Sequence, residues 1–197
     1  MTVPTISNTD SKSEVVLDPS RKKLILIAMC VSLMAVIASV SILNVAQQDL
    51  AIDFGASQGT VLWIINIYTL ALAACLLPIG AIGDRWGRKP VLASGLILFG
   101  LSSAIAAFAG SAEIMIAART LGGISAAMIM PVTLSVITSS FPAEERGQAI
   151  GIWAGVAGGG GMIGMFVAAF MVDTATWRWA FVLPIALVVL GLILTLK

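Results

Sequence analysis

Six long apolar runs, parted by links of a few residues, take up nearly all of this chain: residues 24–46, 61–81, 91–109, 114–137, 148–172 and 180–196. A helix needs about 20 such residues to cross a hydrocarbon core about 30 Å thick. In that solvent no water satisfies backbone N–H and C=O groups, so each crossing segment must bond within itself as a helix, and internal Gly or Pro is tolerated. The runs therefore predict an all-α membrane protein with six transmembrane helices. Of the 197 residues, 59% are apolar and 11% charged, where a soluble domain carries about a quarter charged. Six spans leave no length for a soluble domain.

The charged residues set the orientation. Arg21, Lys22 and Lys23 precede the first run, Arg85, Arg88 and Lys89 fill the second link, Arg146 lies in the fourth, and Lys197 closes the chain. The first and third links have no Lys or Arg, and the fifth has only Arg178. Because short cytoplasmic loops carry the Lys/Arg excess, both termini are expected in the cytoplasm and the chain in the cell (plasma) membrane. Residues 1–20, "MTVPTISNTDSKSEVVLDPS", are polar with no apolar core and no small-residue cleavage site. They read as a disordered cytoplasmic tail ahead of a six-helix domain over 21–197, not as a signal peptide.

Several chemistries are excluded by residue type. Histidine is absent, which removes Ser-His and Cys-His nucleophile pairs and any His metal site. Cys30 and Cys75 lie inside apolar runs and read as packing or lipid-facing residues. No carboxylate falls within a run, so an intramembrane enzyme has no acid pair to work with. A net charge of +1, with no basic patch interleaved with aromatics, offers nothing to nucleic acid. The expectation is no enzyme, no cofactor and no metal.

Two features inside the runs stand out. Arg119, in "IAARTLGGISAAMIMP", is the basic residue set well within a span. An ionisable side chain there is costly and is a functional candidate by default; it reads either as an anchor bonded to neighbouring backbone or as part of a polar pathway. The fifth run, "GIWAGVAGGGGMIGMFVAA", repeats small residues at four-residue spacing through Gly151 and Gly155, then Gly160, Gly164 and Ala168, with Gly161 in a run of four glycines. Such a face admits a second helix at close range, and the glycines also weaken the helix. Close packing and a hinge both fit.

The second link, "GAIGDRWGRKP", crowds Asp84, Arg85, Arg88 and Lys89 between two of the most apolar stretches. Topology needs the cations there but not the acid. With Gly80, Asp84, Arg85, Gly87, Arg88 and Lys89, it resembles the signature between the second and third helices of the major facilitator superfamily, G-x-x-x-D-R-x-G-R-K/R. "LWIINIYTLALAACLLPIG", "RTLGGISAAMIMP", "FPAEERGQAIGIW" and "WRWAFVLPIAL" are similar to further stretches of that family's fourteen-helix drug:proton antiporter branch. The likeness runs from about Leu24 to the end. It departs at two places: Ser39 stands where that branch carries a first-helix aspartate, and Gly160-Gly161 and Gly164-Met165 replace fifth-helix G-P steps.

The resemblance implies an amino-terminal six-helix half of a transporter, two inverted three-helix repeats that rock against a second half around a midplane site. It implies export of lipophilic or cationic drugs by proton antiport, with the lipid bilayer, a small-molecule substrate and protons as partners. It casts Arg119 as the pathway charge, and Gly80, Asp84, Arg85, Gly87 and Arg88 as a conformational latch in which Asp84 accepts hydrogen bonds from Arg88 and from the other half. Asn44, Trp63, Asn66 and Tyr68 are candidates for the cavity wall, or for packing and the interfacial belt. A superfamily of twelve or fourteen helices implies that the chain is a fragment, with a half-size protein pairing with a second copy as the alternative. A non-transporting half that pairs with a full-length partner is the rival function.

Overall fold

The structure, a computed structural model, describes residues 18–196, apart from the side chains of Ile82 and Asp84. The tail reading for 1–20 falls mostly outside the described residues, and the helix begins inside it. Pro19 occupies the first turn of α1 (Pro19–Asp53), and the Asp18 side chain accepts from the Ser20 amide, a start that Pro favours because its missing N–H has no partner there anyway.

Six further helices follow: α2 (Gln58–Trp86), α3 (Arg88–Ala107), α4 (Ala112–Ser140), α5 (Ala143–Thr174), the single turn α6 (Trp177–Ala180) and α7 (Val182–Leu196). Together α6 and α7 make one span, so six helical segments are long and apolar enough to cross a membrane. The break at Phe181 has a covalent cause. Pro184 has no N–H to give the Ala180 carbonyl, four residues back. Several helices outrun their apolar windows: α1 by seven residues at its end, since the window closes at 46 and the helix at Asp53, and α5 by starting at Ala143 rather than 148. Apolar residues mark what lies in hydrocarbon, whereas a helix ends where its terminal amides and carbonyls find caps. Ser57 caps α2 by accepting from Thr60 N, and Ser111 caps α4 by accepting from Ile114 N. One residue, Gly87, joins α2 to α3 at φ 96°, a conformation that a Cβ would disfavour.

The packing repeats itself. Helix α2 packs along α4 while α5 packs along α1; α3 packs on α4 while α7 packs on α1; α1 touches α4, and α3 touches α7. Exchanging the first three spans with the last three leaves this pattern unchanged. Each repeat crosses three times, so the second enters from the opposite side, and the two are inverted. Helix α1 is the most buried, and α2 and α5 the least, which leaves α2 and α5 as flanks on a core of α1, α3, α4 and α7.

Close approach needs small residues. A Cβ on Gly123 of α4 would strike the Tyr68 carbonyl of α2 and stand 2.8 Å from the Ala71 Cβ. At the matching α1–α5 contact a Cβ on Gly164 of α5 would lie 3.1 Å from the Ala38 Cα of α1. Gly151 and Gly155, by contrast, have no atoms within 4 Å of where a Cβ would sit. The apolar core falls into two clusters. One surrounds Val36, Leu96, Phe99 and Ile129; the other surrounds Ile42, Leu50, Met115 and Phe181.

Gly123→Ala is expected to lower stability by about 1–3 kcal/mol, the usual cost of overpacking, because the atom in its way is backbone. Gly155→Ala has open space and is expected to be neutral or stabilising by up to about 1 kcal/mol. Thermal unfolding of both variants in one detergent checks the contrast.

Candidate functional site

Between the two apolar clusters lies a polar layer, and Arg119 is its centre. Helix α4 projects this guanidinium toward α1 and α2, where it is 3% exposed. Nη1 donates to Ser39 Oγ at 2.7 Å and reaches the Ser39 carbonyl at 3.4 Å. The guanidinium carbon lies 4.2 Å from the centroid of the Tyr68 ring. Tyr68 is fully buried; its hydroxyl donates to the Val36 carbonyl at 3.4 Å, and its ring meets Phe99 edge-on at 6.4 Å. Two glycines make this possible. Gly122 leaves the Tyr68 ring its place, 3.3 Å from where a Cβ would stand, and Gly123 lets the α2 backbone lie against α4.

The electrostatics are lopsided. Moving a cation from water into a low-dielectric interior costs several kcal/mol even after relaxation. A desolvated cation–π contact returns about 2 kcal/mol, and a hydrogen bond to a charged group about 1.5–3 kcal/mol. No carboxylate completes the balance: the ion pairs among the described residues, Lys22–Glu145 at 2.9 Å and Arg178–Asp53 at 2.8 Å, lie at the ends of the bundle. Arg119 Nε has no hydrogen-bond partner among the described residues. The charge is held in place but not neutralised.

The other cavity candidates do not join this cluster. Asn44, Trp63 and Asn66 are exposed. Asn44 Nδ2 donates to the Val40 carbonyl of its own helix at 3.0 Å. Trp63 and Asn66 lie off the buried stripe of α2, which runs Val61, Ile64, Tyr68 and Ala71. Of the four, Tyr68 alone faces Arg119.

At the second link, Arg88 Nη1 donates to the Ser135 carbonyl near the end of α4, at 2.9 Å. Gly80, Gly83, Arg88, Pro131, Val132 and Ser135 enclose a cavity of about 150 Å³ between α2 and α4. Arg85 is exposed, and Gly80 has open space beside it. The Asp84 side chain, to which the latch reading assigns the hydrogen bond from Arg88, lies outside the described residues.

In α5 the glycine stripe divides. Gly160 meets Met34 at 3.4 Å, Gly161 meets Ile37 at 3.3 Å, and Gly164 meets Ala38; Ser41 Oγ donates to the Gly161 carbonyl at 3.1 Å. Gly151 and Gly155 stay on the exposed side, and α5 runs unbroken through all of them. Sequence reasoning missed two partners, Ser39 for Arg119 and Ser135 for Arg88. Ser39 had left a signal, as the position where an acid is expected and a hydroxyl stands.

The chain matches the family model described as Major Facilitator Superfamily over residues 27–197. It is 41% identical over 175 residues to the methyl viologen resistance protein SmvA of Salmonella typhimurium, a match covering 87% of this chain and 35% of that protein. It is 36% identical over 177 residues to the multidrug efflux pump LfrA of Mycolicibacterium smegmatis, covering 89% of this chain and 35% of that one. It thus spans about a third of the length of these curated relatives. Among solved structures it resembles a bacterial homolog of the human lysosomal transporter Spinster in an inward-facing, unoccupied conformation, with a TM-score of 0.72 and 20% identity over 91% of this chain and 42% of that one. That likeness concerns the fold. Six apolar spans in inverted repeats, the "GAIGDRWGRKP" link and a family match over most of its length place this chain in the major facilitator superfamily.

Proposed function

We propose that the chain is the amino-terminal half of a secondary transporter that exports lipophilic or cationic compounds, with both termini in the cytoplasm. The observation that carries the reading is the un-neutralised Arg119 at the middle of the core, facing α1 and α2. A bundle that served stability alone would gain by placing an apolar residue there. The names of SmvA and LfrA, a resistance protein and an efflux pump, support export. Clustering of Arg21, Arg88 and Lys89 around one cavity, at the end where Lys22 also lies, supports the orientation.

In this reading Arg119 sets the potential of the pathway. A cationic substrate is repelled by it unless an anion from the second half intervenes, so the positive charge favours release. Proton coupling needs a group that titrates, and the carboxylates of this half are confined to its links and tail. The coupling acid is therefore assigned to the second half. A second reading, a six-helix unit that moves nothing by itself, is favoured by the hydroxyl of Ser39 at the position of the branch's acid. Flux of an ethidium-like cation into proteoliposomes holding the chain together with the second half separates the two: flux above that of either part alone supports the transporter half, and zero flux points to the inert unit.

Three substitutions, made with the second half present, test the assignments. Arg119→Gln is expected to lower efflux at least about 10-fold, equivalent to 1.4 kcal/mol, and Arg119→Lys to restore little of it, since an ammonium lacks the planar fork; unchanged efflux in Arg119→Gln defeats the pathway role. Ser39→Asp places a carboxylate beside a cation whose desolvation is already incurred. It is expected to raise the melting temperature by a gain of about 1–3 kcal/mol and to make efflux pH-dependent. Asp84→Asn is expected to slow transport and to shift cysteine accessibility from one side of the membrane to the other; no change in either measurement defeats the latch.

A further inference from the structure

The end of the bundle where α1 begins holds a cavity of about 310 Å³ to which the transport reading assigns no ligand. Arg21 from the first turn of α1, with Arg88 and Lys89 from the first turn of α3, supplies its positive charge, and Leu24, Leu92 and Leu194 form its walls. Among the described side chains no carboxylate lines it. Its charge suits an anion, and a phosphate, whether free or carried by a lipid, supplies one.

The lining chooses between the two sources. Seven of its eleven residues are apolar, a poor setting for a hydrated inorganic ion. Along α1 the lining continues from Arg21 to Met29, a rise of about 12 Å at 1.5 Å per residue, far deeper than a phosphate ion. A charged mouth over an apolar trough suits an amphiphile. We propose that this cavity binds one anionic phospholipid of the leaflet on that side, its phosphodiester on Arg21, Arg88 and Lys89 and part of an acyl chain against Leu24, Leu92 and Leu194.

Topology alone does not explain these three cations. The positive-inside rule is satisfied by Lys or Arg anywhere along the short links; of the neighbouring cations, Lys22 pairs with Glu145 at 2.9 Å, Arg146 Nε donates to the Phe141 carbonyl at 2.9 Å, and Lys23 and Arg85 are exposed away from the cavity. Arg21 and Lys89 make no ion pair among the described residues, and Arg88 spends one nitrogen on Ser135. At the opposite end of the inverted repeat, Arg178 is paired with Asp53. Three cations drawn to one cavity from two helices repel each other until an anion joins them, and the cytoplasmic leaflet is the one rich in anionic lipid.

Native mass spectrometry of the full chain, released from detergent after titration with phosphatidylglycerol or phosphatidylcholine of the same acyl chains, tests the site. Phosphatidylglycerol is expected to be retained at least about 10-fold better, and millimolar inorganic phosphate not to displace it. Each of Arg21→Gln and Lys89→Gln is expected to weaken retention about 5-fold, which corresponds to about 1 kcal/mol per cation near an anionic surface. Leu24→Trp, which narrows the trough with every cation intact, is expected to weaken it as well, while Lys23→Gln, an exposed cation outside the cavity, leaves it unchanged. Melting temperatures in the same detergent confirm that the variants are folded. Equal retention of the two lipids, full displacement by phosphate, or a loss in Lys23→Gln as large as in Arg21→Gln overturns the proposal.

Discussion

The backbone of α2 rests on the bare backbone of α4 at Gly123, and much of the interior follows from that contact. With no Cβ in the way, α2 approaches until the Tyr68 carbonyl and Ala71 sit on α4. Tyr68 is then carried inward, over the guanidinium of Arg119. In lipid, helices have no hydrophobic reason to prefer one another, so association depends on close packing at small residues. Gly164 does the same for α5 on α1. The two flanking helices thus dock by one device, used once at each of the two matching contacts between the repeats, and at α2 it also delivers the aromatic ring that covers the buried charge.

That charge sits where the two apolar clusters part. Ser39 lies between Val36 of one cluster and Ile42 of the other on α1, and Arg119 follows Ala118 of the second cluster on α4. The layer is rich in small hydroxyls: Ser39, Ser41, Ser102, Ser103 and Ser125 are all buried. Most of these bond back to their own helices, as Ser102 does to Phe99 and Ser125 to Leu121 and Gly122, which is how a serine is satisfied without a partner in lipid. Ser39 is different because its oxygen accepts from Arg119. A serine can orient a guanidinium but cannot cancel its charge, so the field of Arg119 extends into whatever space α1 and α2 border.

The ends of the bundle mirror each other through the inverted repeat. Arg88, which opens α3, donates to the end of α4; Arg178, in α6, donates to Asp53 at the end of α1 and to the Ala109 carbonyl. In each repeat, a cation at the start of the third span is tied to the end of the first span of the other. The C-terminus of a helix carries partial negative charge on its unpaired carbonyls, which suits both cations. Arg178 adds a carboxylate partner to its carbonyl, whereas among the described side chains Arg88 bonds to a carbonyl alone.

The sequence by itself determined the six apolar spans, their helical state and which links carry the Lys and Arg, because hydrocarbon permits no other backbone and a linear pattern of apolar and charged residues is enough to express that demand. It also marked Arg119, since a lone cation within an apolar run is visible without coordinates. What only the tertiary structure decided is which faces meet. Gly123 and Gly164 touch neighbouring helices, and Gly151 and Gly155 do not, although all four read alike as glycines in apolar helices. Tyr68 is buried while Trp63 and Asn66, on the same helix, are exposed. Ser39 and Arg119, eighty residues apart, became partners. The reason is that a membrane helix is apolar on nearly every face, so its periodicity carries little record of which side packs, and the answer rests on the fit of one helix surface to another.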